Sequence, residues 1–255
     1  MASPRTEGEP LVVVDNVHIV YRVWGATSKQ GDKTMLQRLR IKPSNLEIKK
    51  VHAIRGVSLV ARRGESIGLI GSNGSGKSTL LSAIAGGIPP SQGAIYSNSR
   101  PTLLGVNAAL IDNLTGERNV VLGCLAMGMK PADIEDKFED IVEFSGIGDF
   151  VNLPMLAYSS GMAARLRFAI GAAFSPEVLL IDEALATGDA QFMTKSRQRI
   201  RELQENAGVV FLVHHSTSEI RENCNRAIWL QNGVAVMDGD VHEVTGAYEE
   251  SIALG

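Results

Sequence analysis

The feature that most constrains this chain is a glycine-rich segment, GSNGSGKST, at residues 71–79. It follows an apolar run at 66–70 and precedes a helical pattern at 80–85, so the sequence predicts a strand, a loop and a helix. The segment fills the pattern G-x-x-x-x-G-K-[ST], in which glycines let backbone N–H groups surround phosphate oxygens at a helix start. The alternative is a glycine- and serine-rich turn with a stray lysine, which the flanking strand and helix disfavour.

Two side chains in this segment have distinct predicted roles. Lys77 supplies a positive charge to the phosphate oxygens, and the hydroxyl of Ser78 ligates magnesium. The whole predicted phosphate-binding loop consists of Gly71, Ser72, Asn73, Gly74, Ser75, Gly76, Lys77, Ser78 and Thr79.

Composition excludes several classes of protein. The 255 residues allow one large domain or two small ones, and a net charge of −3 does not point to a nucleic-acid partner. Two cysteines, Cys124 and Cys224, are too few for a disulfide framework or a cysteine zinc site, which favours a reducing cytoplasm. No apolar run of about eighteen residues and no signal-peptide core occurs, so we expect a chain that does not itself span a membrane.

The first quarter of the chain predicts a β region with a basic insertion. Apolar or alternating residues at 11–24 and 53–59 are typical of strands, whereas residues 25–50 are rich in Lys and Arg. Met35, Leu36 and Leu39 would share one helical face of this insertion. It is either a short basic amphipathic helix that touches lipid head groups or a membrane partner, or a solvated surface loop.

Residues 108–165 predict a helix-rich region inserted into the α/β pattern. Pro131 suits the first turn of a helix whose apolar stripe includes Ile134 and Phe138. Acidic residues beside this stripe are interpreted as its solvated face and not as a metal cluster; they are Asp133, Glu135, Asp136, Glu139 and Asp140.

Two apolar strands in the second half end on chemically active side chains. The run at 178–181 ends on Asp182 and Glu183, and the run at 209–213 ends on His214 and His215, with a helix predicted at about 189–206 between them. Such strands favour a parallel sheet, whose ligand sites lie beyond the carboxyl ends of the strands. The carboxylates, the histidines and the phosphate loop should therefore converge. An Asn-Gly pair at 232–233 then predicts a hairpin, followed by a helix from about residue 241.

Bound MgATP would explain this convergence. Ser78 and Asp182 would organise magnesium, Glu183 would polarise the attacking water, and His215 would hydrogen-bond the γ-phosphate. The alternatives are that the two acids cap a helix and that the histidine only packs. The remaining histidines lack ligand spacing; they are His18, His52, His214 and His242.

With these motifs in order, nearly the whole chain resembles the ATP-binding subunits of ABC transporters. The segment YSSGM at 158–162 stands where LSGGQ is usual and departs from it at three positions. Ser159 and Gly161 keep the usual residues, and the resemblance implies that they contact the γ-phosphate held by a second subunit, with Ser160 between them as a further nucleotide-binding residue. It further implies that Asp189 lies in a loop crossing the dimer interface and that Tyr21 stacks on adenine, with Trp24 as its substitute.

YSSGM followed by DEALATGDAQF resembles the branch of the family that exports polysaccharides such as O-antigen and teichoic acid. The whole chain is also similar to the nucleotide-binding halves of mycobacterial cell-wall galactan exporters. One departure concerns the glutamine loop, which should fall near GVNAALIDNLTGERN. This stretch contains no glutamine, and Asn107 is its nearest amide.

The sequence therefore predicts a single α/β domain over 1–255, a P-loop NTPase of the ABC type. Its mostly parallel sheet would carry an N-terminal antiparallel β region and an inserted helical subdomain, without the C-terminal glycan-binding domain that some exporters append. The resemblance implies an ATP hydrolase that forms a head-to-tail homodimer with ATP and Mg²⁺. Its other partner would be a separate transmembrane permease at the cytoplasmic face of the membrane, which would move a lipid-linked polysaccharide. The alternatives are a soluble ABC-type ATPase acting on ribosomes or DNA, and the motor of an importer.

Overall fold

Two β-sheets organise the chain in a computed structural model, which describes residues 8–26, 46–104, 110–182 and 190–253. The larger sheet has six strands in the order β5-β6-β7-β3-β8-β9, parallel except for the antiparallel β8–β9 pair. Its strands are β3 (Ser66–Ile70), β5 (Thr102–Leu103), β6 (Val178–Ile181), β7 (Val209–Val213), β8 (Arg226–Gln231) and β9 (Val234–Asp240). The predicted parallel core is confirmed, because β3, β6 and β7 are buried apolar runs flanked by parallel neighbours.

The smaller sheet is antiparallel and consists of β1 (Pro10–Ala26), β2 (Leu46–Arg62) and β4 (Gln92–Ser97) in the order β2-β1-β4. Its apolar face and the strands of the larger sheet bury one cluster that includes Val12, Ile54 and Phe211. The β1–β2 pairing extends to Ala26 opposite Leu46. The basic insertion predicted at 25–50 therefore has wrong bounds, because residues 25–26 and 46–50 belong to the paired strands β1 and β2. Residues 27–45 lie outside the described part of the chain.

Three helices form the helix-rich region: α2 (Gly116–Ala126), α3 (Pro131–Ser145) and α4 (Ser160–Ala172). Short 3-10 turns at Gly148–Asn152 and Met155–Ala157 connect α3 to α4. Local sequence sets the ends of these helices, since Thr115 caps α2, Pro131 opens α3 and Gly146 closes it with a φ of 63°. Their shared apolar cluster is separate from the core of the sheets.

The remaining helices cover the larger sheet. They are α1 (Lys77–Ile84), α5 (Ala190–Asn206), α6 (Thr217–Asn223) and α7 (Val241–Ala253). Neither α6 nor β4 was predicted. Gly93 lies inside β4, where its φ of 80° permits a close approach to β1. An added Cβ there would stand 2.2 Å from the carbonyl oxygen of Asn16. Within the described ranges, none of the helices has the length and apolar character needed to cross a bilayer.

Candidate nucleotide-binding site

The glycine-rich segment forms a tight loop between β3 and α1, as its sequence predicts. Gly71 and Gly76 have φ values of 143° and 110°, in the region that favours glycine. A Cβ on Gly71 would lie 2.1 Å from the carbonyl oxygen of Leu230, which no side chain tolerates. The loop is closed by a hydrogen bond from the Ser75 N–H to the Ser72 carbonyl oxygen, at 3.1 Å. Its backbone shape is therefore fixed by packing against the neighbouring strand.

A third element completes the loop from the far side. The predicted Asn-Gly hairpin is confirmed, with Asn232 and Gly233 at φ 52° and 81° between β8 and β9. The Gly233 N–H donates to the carbonyl oxygen of Ser75 at 2.9 Å, and its own carbonyl accepts from the Arg55 N–H at 2.8 Å. The hairpin turn thus joins the phosphate loop to strand β2.

The donors of this loop fit a phosphate group. Helix α1 begins after Gly76 without a side-chain cap, so its first N–H groups remain available to an anion. The Lys77 ammonium lies over the loop, donating to the carbonyl oxygens of Gly71 at 2.7 Å and Ser72 at 3.0 Å. The Ser75 hydroxyl is buried and finds no hydrogen-bond partner in the described part of the chain. A buried polar atom and open helix N–H groups are what a bound phosphate would satisfy.

The sheet brings the predicted site residues to this loop. Because β6, β7 and β3 are adjacent and parallel, Asp182 and His215 follow strands whose carboxyl ends meet at one edge. Both side chains border a cleft of about 480 Å³. Its lining consists of Ala53, the loop residues 71–79, Asp182, Val213, His215 and Tyr248. The predicted convergence of the phosphate loop, acid and histidine is thus present in the structure.

The two neighbouring histidines have different surroundings. Their rings stack with centroids 4.7 Å apart, and His214 Nδ1 accepts from the N–H of Ser216 at 3.1 Å. His214 therefore stabilises the turn after β7, whereas the exposed His215 side chain borders the cleft. Glu183 and Asp189, predicted as the water-polarising acid and the interface residue, lie outside the described residues, as does Asn107.

The YSSGM segment lies at the start of α4 and not in the cleft. The Ser159 hydroxyl caps α4 by accepting from the Met162 N–H at 3.2 Å, and Ser159, Ser160 and Gly161 are all exposed. Tyr21 is also absent from the cleft lining; it pairs with Val51 on the β1–β2 ribbon, and its predicted stacking on adenine stays a prediction.

Sequence reasoning missed the contribution of the C-terminal helix. Tyr248 of α7 borders the cleft, with its ring against Trp229 at a centroid distance of 5.6 Å. Ala53 borders it too, from an irregularity in the β1–β2 pairing. Neither position carries a motif, because both reach the cleft only through the packing of elements distant in sequence.

A phosphate loop between a buried strand and a helix, with an acid and a histidine on adjacent parallel strands, defines a nucleotide-binding P-loop domain. A family model described as ABC transporter matches residues 54–186, just over half of the chain. The chain therefore belongs to the ABC transporter family.

Several curated relatives share most of this chain. The teichoic acids export ATP-binding protein of Staphylococcus epidermidis is 37% identical over 238 residues, 93% of this chain and 88% of that protein. The namesake protein of Listeria innocua is 40% identical over 210 residues, which are 82% of this chain and 63% of the relative, so the chain spans less than two thirds of it. An O-antigen export ATP-binding protein of Myxococcus xanthus is 35% identical over 86% of this chain and 51% of its own.

Solved structures share the fold. An ATP-binding subunit of an ABC transporter has a TM-score of 0.68 at 21% identity, covering 94% of this chain and 93% of that one. A dimeric ATP-binding cassette in a post-hydrolysis state, bound to ADP and Pi, has a TM-score of 0.65 at 21% identity, covering 91% and 99%. At this identity the likeness supports the α/β cassette fold alone. It confirms the predicted fold class.

Proposed function

We propose that this chain is the ATP-hydrolysing subunit of an ABC exporter that moves a lipid-linked polysaccharide across the cytoplasmic membrane. The observation that carries the proposal is the cleft in which the phosphate loop, Asp182 and His215 meet. Relatives named for teichoic acid and O-antigen export support the polysaccharide as cargo. Galactan, the polymer that the sequence suggested, is a finer prediction that these relatives do not address.

Each side chain in the cleft has a task in this proposal. The open N–H groups of α1 and the Lys77 ammonium bind the β- and γ-phosphates. Ser78 and Asp182 supply oxygen ligands for Mg²⁺, which when bound neutralises charge on the phosphates. Glu183, next to Asp182 in sequence, accepts a hydrogen bond from the attacking water, and His215 donates one to the γ-phosphate. Catalysis in such a site depends on positioning and charge stabilisation.

The exposed start of α4 suggests a second copy of the chain as partner. Ser159, Ser160 and Gly161 do not line their own cleft, so we propose that they cover the nucleotide held by the other subunit of a head-to-tail dimer. Asp189 would lie at the same interface. A separately encoded transmembrane permease would hold the dimer at the cytoplasmic face of the membrane and would carry the lipid-linked polymer.

The test measures ATP hydrolysis and export in one strain background. Glu183→Gln should retain ATP affinity and lose turnover by about 100-fold or more, because the amide does not accept the proton of the attacking water. Lys77→Ala should lose most of the ATP affinity itself. Cells in which either variant replaces the native chain should accumulate lipid-linked polysaccharide on the cytoplasmic side. Normal polymer export in both variants would refute the proposed role, as would ATP-dependent association with ribosomes or DNA without a permease.

A further inference from the structure

Helix α7 is attached firmly to the elements that border the cleft. Its buried side chains Val241 and Val244 pack in a cluster with residues of the larger sheet, and Tyr248 packs against Trp229 of β8 while bordering the cleft. The Asp240 carboxylate caps the start of α7 by accepting from the His242 N–H at 2.8 Å. The position of α7 is therefore fixed at both its beginning and its middle.

A cluster of hydrogen bonds ties α7 to α6, and we call it the α6–α7 clasp. Thr217 Oγ1 donates to Glu249 Oε1 at 2.5 Å, and Arg221 Nη2 donates to Glu249 Oε2 at 2.6 Å. Arg221 Nε also donates to Thr245 Oγ1 at 2.7 Å. The hydrogen bonds from Arg221 and then Thr217 lower the pKa of Glu249, so the carboxylate is charged at neutral pH.

The clasp begins two residues after His215 in the chain. Thr217 is the first residue of α6 and follows His215 by two positions, with only the cap residue Ser216 between them. Helix α6 has little freedom to move, because Ile220 is fully buried and a Cβ on Gly68 of β3 would stand 2.5 Å from its Cγ2 atom. The backbone of His215 is thus held between β7 on one side and the first turn of α6 on the other.

We propose that Glu249 and Thr217 are positioning residues for His215, so that α7 forms part of the catalytic apparatus. This inference rests on the proposed ATP hydrolysis. Residue 249 lies outside the segment matched by the family model, and neither Glu249 nor Thr217 borders the cleft. We infer that their effect reaches the nucleotide through the backbone at 215–217, which with the stacked ring of His214 positions the imidazole of His215.

The experiment compares matched variants of the full-length chain by steady-state ATP hydrolysis and thermal unfolding. Thr217→Val removes the donor at nearly constant volume and should lower kcat about tenfold, since displacement of a catalytic group by about 1 Å can cost 100-fold. The KM for ATP should change by less than about twofold, because the phosphate loop is untouched. Thr217→Ser keeps the hydroxyl and should restore kcat. Glu249→Gln keeps an acceptor and should fall between them.

The control is Glu250→Gln, at an exposed neighbour that makes no hydrogen bond or ion pair within the described residues; it should match wild type. A double-mutant cycle separates positioning from stability: in a His215→Ala background, Thr217→Val should lower kcat no further. The inference is overturned if Thr217→Val lowers kcat equally in the wild-type and His215→Ala backgrounds. It is also overturned if Thr217→Val and Glu249→Gln both keep the wild-type kcat. Neither result would affect the proposed ATP hydrolysis. A wild-type chain that does not hydrolyse ATP overturns the proposed function and this inference with it.

Discussion

A glycine of the phosphate loop and a glycine of the YSSGM segment differ in how much space the surrounding structure leaves for a side chain. Gly71 has a φ of 143°, and an added Cβ would lie 2.1 Å from the Leu230 carbonyl oxygen. Around Gly161, by contrast, the nearest atom to an added Cβ is the Ser159 hydroxyl at an ordinary 3.8 Å. The chain's own packing thus requires the first glycine and not the second. A requirement for Gly161 would have to come from a partner that approaches the start of α4.

The largest effect should follow from Gly71→Ala. Overlap with backbone atoms of β8, together with the left-handed φ, should lower the free energy of unfolding by about 3 kcal/mol or more and abolish ATP binding. Chemical denaturation and equilibrium titration with ATP measure the two losses. Gly74→Ala is the matched control, since its φ of 79° is strained but space around it is open, and it should cost about 1 kcal/mol. Equal stability of both variants would contradict the comparison.

A second effect should appear only in the dimer. Gly161→Arg should leave the free energy of unfolding within about 0.5 kcal/mol of wild type, because the position is exposed at a helix start. In a Glu183→Gln background with ATP, however, it should weaken dimerisation by about 100-fold, because a long side chain would occupy the space in which the partner's nucleotide would lie. Sedimentation measures this, with Glu139→Arg on the exposed face of α3 as control. A Gly161→Arg protein that dimerises normally would remove YSSGM from the interface.

A smaller effect on stability should follow from loss of the hydrogen bonds between α5, which covers the larger sheet, and α4 of the helical region. Arg199 of α5 donates through Nε and Nη2 to the Ala172 carbonyl oxygen at the end of α4, at 3.0 and 2.8 Å. Arg199→Met should therefore lower the free energy of unfolding by about 1 kcal/mol. Arg197→Met, on an exposed position of α5 without a hydrogen bond in the described structure, should be close to neutral. Denaturant titrations of the two variants measure the difference. Equal midpoints would mean that the hydrogen bonds from Arg199 to Ala172 contribute nothing to the free energy of unfolding.

The smallest effect concerns the reactivity of the two cysteines, of which Cys124 lies in the helical region and Cys224 lies beside the larger sheet. Burial raises the pKa of Cys124 in α2 to about 11, and burial raises that of Cys224 beside β8 to about 12. Since only the thiolate reacts, both should resist alkylation at pH 8 in the folded protein. Mass spectrometry after iodoacetamide treatment should find both cysteines unlabelled in the folded protein and both labelled in denaturant. Faster labelling of Cys224 would show that the sheet opens before the helical region.

Sequence patterns identified best the elements that are buried on both faces. β3, β6 and β7 were predicted to the residue, because short continuous apolar runs bounded by glycine or charged residues are typical of buried parallel strands. The hairpin at 232–233 followed from turn chemistry alone. In contrast, β4 carries mostly exposed side chains and α6 has only seven residues, so neither produces a clear period.

The site shows the same division. The convergence of the phosphate loop, Asp182 and His215 on one cleft could be predicted, because each follows an apolar strand and the strands are parallel. Tyr248 and the α6–α7 clasp could not, since they depend on how α7 docks against β8 and α6. No local sequence pattern indicates which face of α7 will lie near a phosphate loop that is more than 150 residues upstream.

The contact of Gly233 with the phosphate loop has a consequence for protein synthesis. The Gly233 N–H donates a hydrogen bond to Ser75, 158 positions earlier in the chain, and the Gly233 carbonyl accepts one from Arg55, 178 positions earlier. A nascent chain that has emerged only through α5 holds every residue of the phosphate loop but lacks the turn that closes it, along with the strand that packs on Gly71. Nucleotide capture should therefore begin only after the hairpin has left the ribosome. ATP would then bind late in folding and would not assist its early steps.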